Sequence, residues 1–139
     1  MAAPTPFLRD RRGAAAAEFA LVLPAFIFFT LGAINLSTLL FAMTSLHQAA
    51  EGAARYSSVT TAANGVDPGQ AAVCAWAVNH YKGPGGVLAT TCAGTPPPFV
   101  YTASPTAGCA HVVTAAGSYT LYAGFLNKTF PLNATACFP

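Results

Sequence analysis

The chain has 139 residues, of which 54% are hydrophobic and only 7% are charged. An ordinary soluble domain has about 25% charged residues, so these charges are too few to cover a fully solvated surface. The net charge of +2 comes from the first twelve residues and forms no basic face, which excludes nucleic acid as a partner. With only four acidic residues, general acid–base catalysis has few candidates, and we expect neither an enzyme nor a cofactor.

Three arginines, Arg9, Arg11 and Arg12, precede a long apolar stretch. Residues 19–50 form 32 consecutive positions without Asp, Glu, Lys or Arg. A bilayer core needs about 20 apolar residues in a helix, whereas the apolar core of a secretory signal peptide has roughly 7–15. The sequence therefore predicts a transmembrane helix, and the arginines place its N-terminal end in the cytoplasm.

Pro24 lies inside this predicted span. It removes one helical hydrogen bond, and its ring clashes with the carbonyl group of Ala20. Prolines are frequent in membrane helices, where a kink is tolerated. The alternative is a bend that lets helices pack in an assembly, and both interpretations place a helix kink at Pro24.

Glu18 is unusual because it lies between four alanines and the apolar run. A carboxylate near hydrocarbon costs several kcal/mol unless it is paired. The positive end of the helix dipole is one source of compensation. Cleavage after Gly13 would give a second source of compensation, because Ala14 would then carry a free α-amine four residues before Glu18.

The residues RRGAAAAEFALVLP, followed by a span and then HQAAEGAARYS, closely resemble the TadE-like family of minor pilins or pseudopilins of tight-adherence (Flp-type) pili. The resemblance covers about a third of the chain. It implies a prepilin cleavage site between Gly13 and Ala14, with Glu18 and Phe19 as the processing and assembly motif. It also implies cleavage by a prepilin peptidase at the cytoplasmic face, and partners that include other pilin subunits, inner-membrane lipid and a pilus assembly platform.

This reading divides the chain into a cytoplasmic leader (residues 1–13), a transmembrane and assembly helix with its stalk (residues 14–57) and an exported head (residues 58–139). The precursor is expected in a bacterial inner membrane with a periplasmic head, and the mature protein in a pilus at the cell surface. The first alternative is an uncleaved single-pass membrane protein of an envelope complex. A second is a secreted enzyme or binding module cleaved near Ala50.

The helix is predicted to continue past the membrane to about residue 58. Apolar residues recur at spacings of four and three along one face, which is typical of a packed helix: Leu39, Met43, Leu46, Ala50 and Ala53. This seam packs either beneath the head or between subunits, and both interpretations remain open at this point.

The head is predicted to contain one short helix and a small antiparallel sheet, which makes the chain α+β. Asp67 and Pro68 indicate a helix start, with Gln70 reaching back to the cap, and the helix runs to about Tyr81. Short strand-like runs follow: residues 87–92, 99–103, 109–113, 118–123 and 129–138. Residues 94–98 and 103–108 are predicted as turns or loops.

All four cysteines lie in the exported part, so they predict two disulfides. Three pairings are possible, and we favour Cys74–Cys92 with Cys109–Cys137. There is no C-x-x-C pair, and the cysteine spacings fit no zinc pattern, so no metal site is expected. The even cysteine number also argues against a free nucleophilic thiol, and we expect no catalytic residues.

Overall fold

The structure is a computed structural model that describes residues 11–106, 108–123 and 126–139. Within these residues two helices are followed by three strands: α1 (Arg11–Asn64), α2 (Gly69–His80), β1 (Phe99–Thr106), β2 (Cys109–Ala123) and β3 (Leu126–Phe138). The predicted α+β class is confirmed. Arg9 lies outside the described residues, and so do the side chains of Arg11 and Arg12.

α1 is one helix of 54 residues, about 81 Å long at roughly 1.5 Å per residue. It includes Pro24 and ends at Asn64, six residues beyond the predicted end. Thr60 and Thr61 lie in this extension, and their hydroxyl groups donate to backbone carbonyls one turn earlier at 2.7 and 2.8 Å. Gly65 then ends it with a φ of +67°, a left-handed conformation that glycine adopts without a steric penalty.

The strands form one antiparallel sheet in the order β1-β2-β3. β2 and β3 pair from His111 opposite Phe138 to Ala123 opposite Leu126, and they form a long two-stranded ribbon. β1 pairs with only the first part of β2, as far as Ala115. β1 also continues to Thr106, into residues predicted as a turn.

The segment of residues 87–92, predicted as a strand, is not a strand in the structure. It crosses β2 at Gly117, where a Cβ atom would lie 2.7 Å from the Val87 carbonyl oxygen. That oxygen accepts a hydrogen bond from the Ser118 amide at 3.0 Å. Gly117 therefore permits a close crossing, and the two strands predicted on either side of it are the single strand β2.

The core lies between α1 and the inner face of the sheet and consists mainly of alanine and valine, with Leu46, Phe99, Tyr101 and Leu132 as its larger members. Such small residues let the helix lie close to the strands. In the predicted seam Leu46, Ala50 and Ala53 are buried, whereas Met43 is 38% exposed and Ala42 is buried instead. This part of the seam packs beneath the head, as the first of the two interpretations proposed.

α2 packs against α1 through a notch at Gly52. The Trp76 ring stacks between Tyr56, with ring centroids 5.6 Å apart, and His80, at 3.8 Å. A Cβ atom at Gly52 would lie 2.7 Å from the Cη2 atom of Trp76. Because Trp76 is held on both faces, its ring has little freedom to move away from a larger residue at this position.

We expect Gly52→Leu to reduce the free energy of unfolding by about 1–3 kcal/mol, the usual cost of overpacking. Urea unfolding of the full chain in detergent measures this loss. In the double variant with Trp76→Ala the obstructing ring is gone, so the combined cost should be smaller than the sum of the two single costs. Simple additivity would show that Gly52 and Trp76 do not constrain each other.

Candidate functional site

The first part of α1 extends beyond the head and is not covered by it. We name residues 13–37 the exposed segment, since all of them are exposed except Thr30 and Asn35, which are partly buried. The exposed large apolar side chains between Phe19 and Phe41 have exposed fractions of 38–80%. The most apolar window of the helix has a mean hydropathy of 2.2 and is 0% buried, and the helix is long enough to cross a membrane.

Polar side chains in and next to the exposed segment are satisfied within the helix itself. The Thr30 hydroxyl donates to the Phe26 carbonyl at 3.0 Å, and the Asn35 amide donates to the Leu31 carbonyl at 2.9 Å. Ser37 makes the same type of bond, to the carbonyl four residues earlier, at 2.9 Å. Since backbone and side-chain polar groups need internal partners in hydrocarbon, this segment is suited to a lipid environment.

The residues of the predicted processing motif lie on the first turns of the exposed segment. Gly13, Ala14, Glu18 and Phe19 are all exposed, and a Cβ atom at Gly13 would meet nothing within 4 Å. Ala14 and Glu18 are four residues apart, so they lie on the same face of the helix, one turn apart. Glu18 is the one charged residue among positions 14–50, which makes it the dominant electrostatic feature of this surface.

Two disulfides hold the head together. Cys74 on α2 is bonded to Cys92 in the irregular segment, with Cα atoms 6.0 Å apart. Cys109 and Cys137 are bonded across β2 and β3, with Cα atoms 5.5 Å apart. These are the two pairs favoured from the sequence. Among the described residues there is no cluster of three or more His, Cys, Asp or Glu side chains placed to hold a metal ion.

A partly buried polar cluster connects the start of α2 to the sheet, and sequence reasoning did not find it. Tyr101 and His111 are buried, whereas Asp67 is exposed. The Tyr101 hydroxyl donates to Asp67 Oδ2 at 2.7 Å and lies 2.8 Å from His111 Nδ1. Because the Tyr101 proton is directed to Asp67, the hydroxyl oxygen accepts the second bond and His111 carries its proton on Nδ1. The three residues are 34 and 10 positions apart in the sequence, so no local motif reveals them.

Gln70 has a different role from the predicted one. It does not reach back to cap α2. Its side-chain amide donates to the Phe99 carbonyl at 2.7 Å, and its oxygen accepts from the Tyr101 amide. The carboxylate of Asp67 instead accepts the Gly69 amide at 2.8 Å. Gln70 therefore joins α2 to β1 by pairing with strand backbone groups.

The Tyr101 cluster makes the stability of the head sensitive to alkaline pH. Burial, followed by the hydrogen bond to Asp67 and its negative charge, raises the pKa of Tyr101 from 10.0 to about 12. Since the folded-state pKa exceeds the unfolded one, the contribution of neutral Tyr101 is complete below pH 10. It is lost as the pH rises toward about 12. Burial also raises the pKa of Tyr81, which adds in the same direction.

We expect Tyr101→Phe to lower the free energy of unfolding at pH 8 by about 1 kcal/mol, the value of a typical hydrogen bond. The same variant should flatten the loss of stability between pH 10 and about 12. Urea unfolding measured across this pH range checks both effects. The exposed Tyr122 provides the matched control, because Tyr122→Phe should leave the pH dependence unchanged. An alkaline loss that persists undiminished in Tyr101→Phe would contradict the assignment.

Comparison with known proteins identifies the N-terminal helix. Neither the curated proteins nor the solved structures include a significant match to the chain. One family model, described as TadE-like protein, matches residues 13–55. The match begins at Gly13, includes the exposed segment and the part of α1 beneath the head, and stops before α2 and the sheet. Residues 13–55 therefore match the TadE-like family, and this match implies an association with pili of the tight-adherence system and an envelope location.

Proposed function

We propose that this protein is a minor pilin or pseudopilin of a tight-adherence type IV pilus system, with a structural and not a catalytic role. The observation that carries this proposal is the exposed segment. Its 25 residues extend about 37 Å at roughly 1.5 Å per residue, which exceeds the hydrocarbon thickness of about 30 Å. A helix with this much exposed apolar surface needs lipid or other helices around it.

The proposed precursor spans the inner membrane with residues 1–13 in the cytoplasm and the head in the periplasm. A prepilin peptidase cleaves between Gly13 and Ala14. Cleavage removes Arg9, Arg11 and Arg12, the charges that hold the helix at the cytoplasmic face. The helix then becomes free to leave the bilayer and enter an assembly.

Assembly is proposed to depend on a charge pair created by cleavage. The new α-amine of Ala14 is cationic at neutral pH, and the Glu18 carboxylate of the same or a neighbouring subunit pairs with it. Exposed apolar side chains from Phe19 onward pack against other pilin helices at the pilus assembly platform, and a kink at Pro24 is proposed to help this packing. The disulfide-bonded head faces outward in the pilus. The protein thereby serves pilus biogenesis, adhesion or surface attachment.

Cell fractionation tests this role against the main alternative, an uncleaved single-pass protein of an envelope complex. The protein is detected with an antibody to the head in sheared surface material and in membranes, in cells with and without the matching prepilin peptidase. The proposal predicts recovery in the sheared fraction only when the peptidase is present. Retention in the membrane in both strains would support the single-pass alternative.

A further inference from the structure

The β2–β3 ribbon lies along α1, and the ribbon end that carries Tyr122 contacts the helix at residues 35–38. The Tyr119 hydroxyl is 2.6 Å from the Thr38 hydroxyl, and the Asn35 amide donates to the Tyr122 carbonyl at 3.4 Å. Near the other end of the ribbon, Ser58 donates to the Pro139 carbonyl at 2.6 Å. The strand end that carries Tyr122 therefore lies beside residues 35–38, next to the exposed segment.

The outer boundary of a membrane that holds α1 falls at this same height. Twenty helical residues, about 30 Å, span the hydrocarbon core. Counting 20 residues from Ala14 places the periplasmic boundary of the hydrocarbon core at residue 33. Counting from Phe19, which follows the charged Glu18, places this boundary at residue 38. The ribbon end contacts the helix at Asn35 and Thr38, which both lie within this range.

The side chains at the ribbon end have the chemistry of a membrane interface. Tyr122 is 68% exposed, and tyrosine rings are enriched where hydrocarbon meets headgroups. Lys128, opposite Leu121 on the neighbouring strand, is exposed, and its ammonium group lies 5.6 Å from the Phe130 ring centroid. β2 and β3 contain no Asp or Glu, so Lys128 provides an unopposed positive charge on the ribbon.

We propose that the end of the β2–β3 ribbon, through Tyr122 and Lys128, rests on the anionic phospholipid surface at the periplasmic side of the membrane while α1 spans it. This proposal rests on the membrane placement given under the proposed function. The lysine attracts anionic headgroups, and the tyrosine ring inserts at the headgroup level. The contact fixes the height and tilt of the head before the subunit leaves the bilayer.

Tryptophan quenching by brominated lipids tests the proposal on the full chain in vesicles. The single tryptophan is first removed by Trp76→Phe, and one tryptophan is then introduced by Tyr122→Trp, Phe28→Trp or Tyr56→Trp. Phe28 reports on the exposed segment, and Tyr56 lies 18 residues beyond Thr38 on α1, about 27 Å above the boundary. Vesicles contain phosphatidylcholine brominated near the headgroup end of the chains, with or without phosphatidylglycerol.

We expect quenching of the Tyr122→Trp variant to exceed that of Tyr56→Trp several-fold. Adding Lys128→Gln should reduce this quenching in vesicles with phosphatidylglycerol, whereas Lys82→Gln, the matched change at another exposed lysine, should not. Quenching of Phe28→Trp without quenching of Tyr122→Trp overturns the ribbon contact alone. An unquenched Phe28→Trp variant overturns the membrane placement itself. Equal effects of Lys128→Gln and Lys82→Gln overturn the role of the anionic headgroup.

Discussion

Glu18→Ala is expected to be processed normally and yet to be missing from sheared pili. In the proposed function, cleavage depends on the residues at the cut, Gly13 and Ala14, whereas the Glu18 carboxylate is needed afterwards as the partner of the new amine. If other pilin helices surround this pair in the assembled pilus, as proposed, it is a buried ion pair, and removing one member leaves the other unpaired at a cost of about 3–5 kcal/mol. Since 1.4 kcal/mol corresponds to a factor of ten, incorporation should fall by more than about tenfold.

The structure provides a matched control for this variant. Glu51 is also an exposed glutamate on α1, but it lies beside the head and outside the exposed segment. Glu51→Ala should therefore be cleaved and incorporated like the natural protein. The comparison is an immunoblot of sheared and cell-bound fractions for both variants. Wild-type levels of Glu18→Ala in the sheared fraction would contradict the pairing role, and equal losses in both variants would point to a general effect of removing a carboxylate.

The second large effect is expected from the Cys74–Cys92 disulfide. Replacing both residues with alanine should lower the free energy of unfolding by about 3 kcal/mol, the value for a loop of this length in the chain-entropy account. The bond connects α2 to the segment between α2 and β1. That segment binds β2 through the Val87 and Pro98 carbonyls, which accept hydrogen bonds from the Ser118 and Ala116 amides. Cys74 is also fully buried, so the loss leaves a cavity in the core.

The other disulfide provides the comparison for this prediction. Cys109 and Cys137 join two strands that already pair along the whole ribbon, and neither cysteine is buried. Chain entropy alone predicts a slightly larger effect for their longer loop, whereas the packing favours a larger effect for Cys74–Cys92. Urea unfolding of the two double alanine variants, as full chains in detergent, decides the order. A greater loss for the Cys109–Cys137 pair would show that burial of Cys74 contributes little.

Local patterns were sufficient to predict the elements with strong signals of their own. The charge-free run of residues 19–50 indicated the long helix, Asp67 and Pro68 indicated the start of α2, and the strand-like run of residues 99–103 indicated β1. The motif from Gly13 to Phe19 was visible because its residues are neighbours in the chain. The prediction of processing at this motif comes from that pattern and stays a prediction.

Features that depend on distant residues were missed. Gln70 was assigned to a local helix cap. Its actual backbone partners on β1 lie 29 and 31 residues away, so the local sequence does not indicate them. Residues 109–113 and 118–123 were predicted as two strands, whereas they belong to the single strand β2, in which Gly117 permits the close crossing of Val87. The cluster of Asp67, Tyr101 and His111 likewise forms only when the sheet and α2 come together. Contacts of this type are fixed by tertiary packing and leave no periodic pattern in the sequence.

The N-terminal residue of the mature protein is the most direct test of the central claim. The protein is co-expressed with and without a matching prepilin peptidase, purified from membranes, and its N-terminal residue is determined by mass spectrometry. Gly13→Ala, which should strongly impair cleavage, is treated in parallel. The proposed function predicts a chain that begins at Ala14 only when the peptidase and Gly13 are both present. A chain that keeps residues 1–13 under all conditions would contradict processing as a pilin and leave Glu18 without its partner amine.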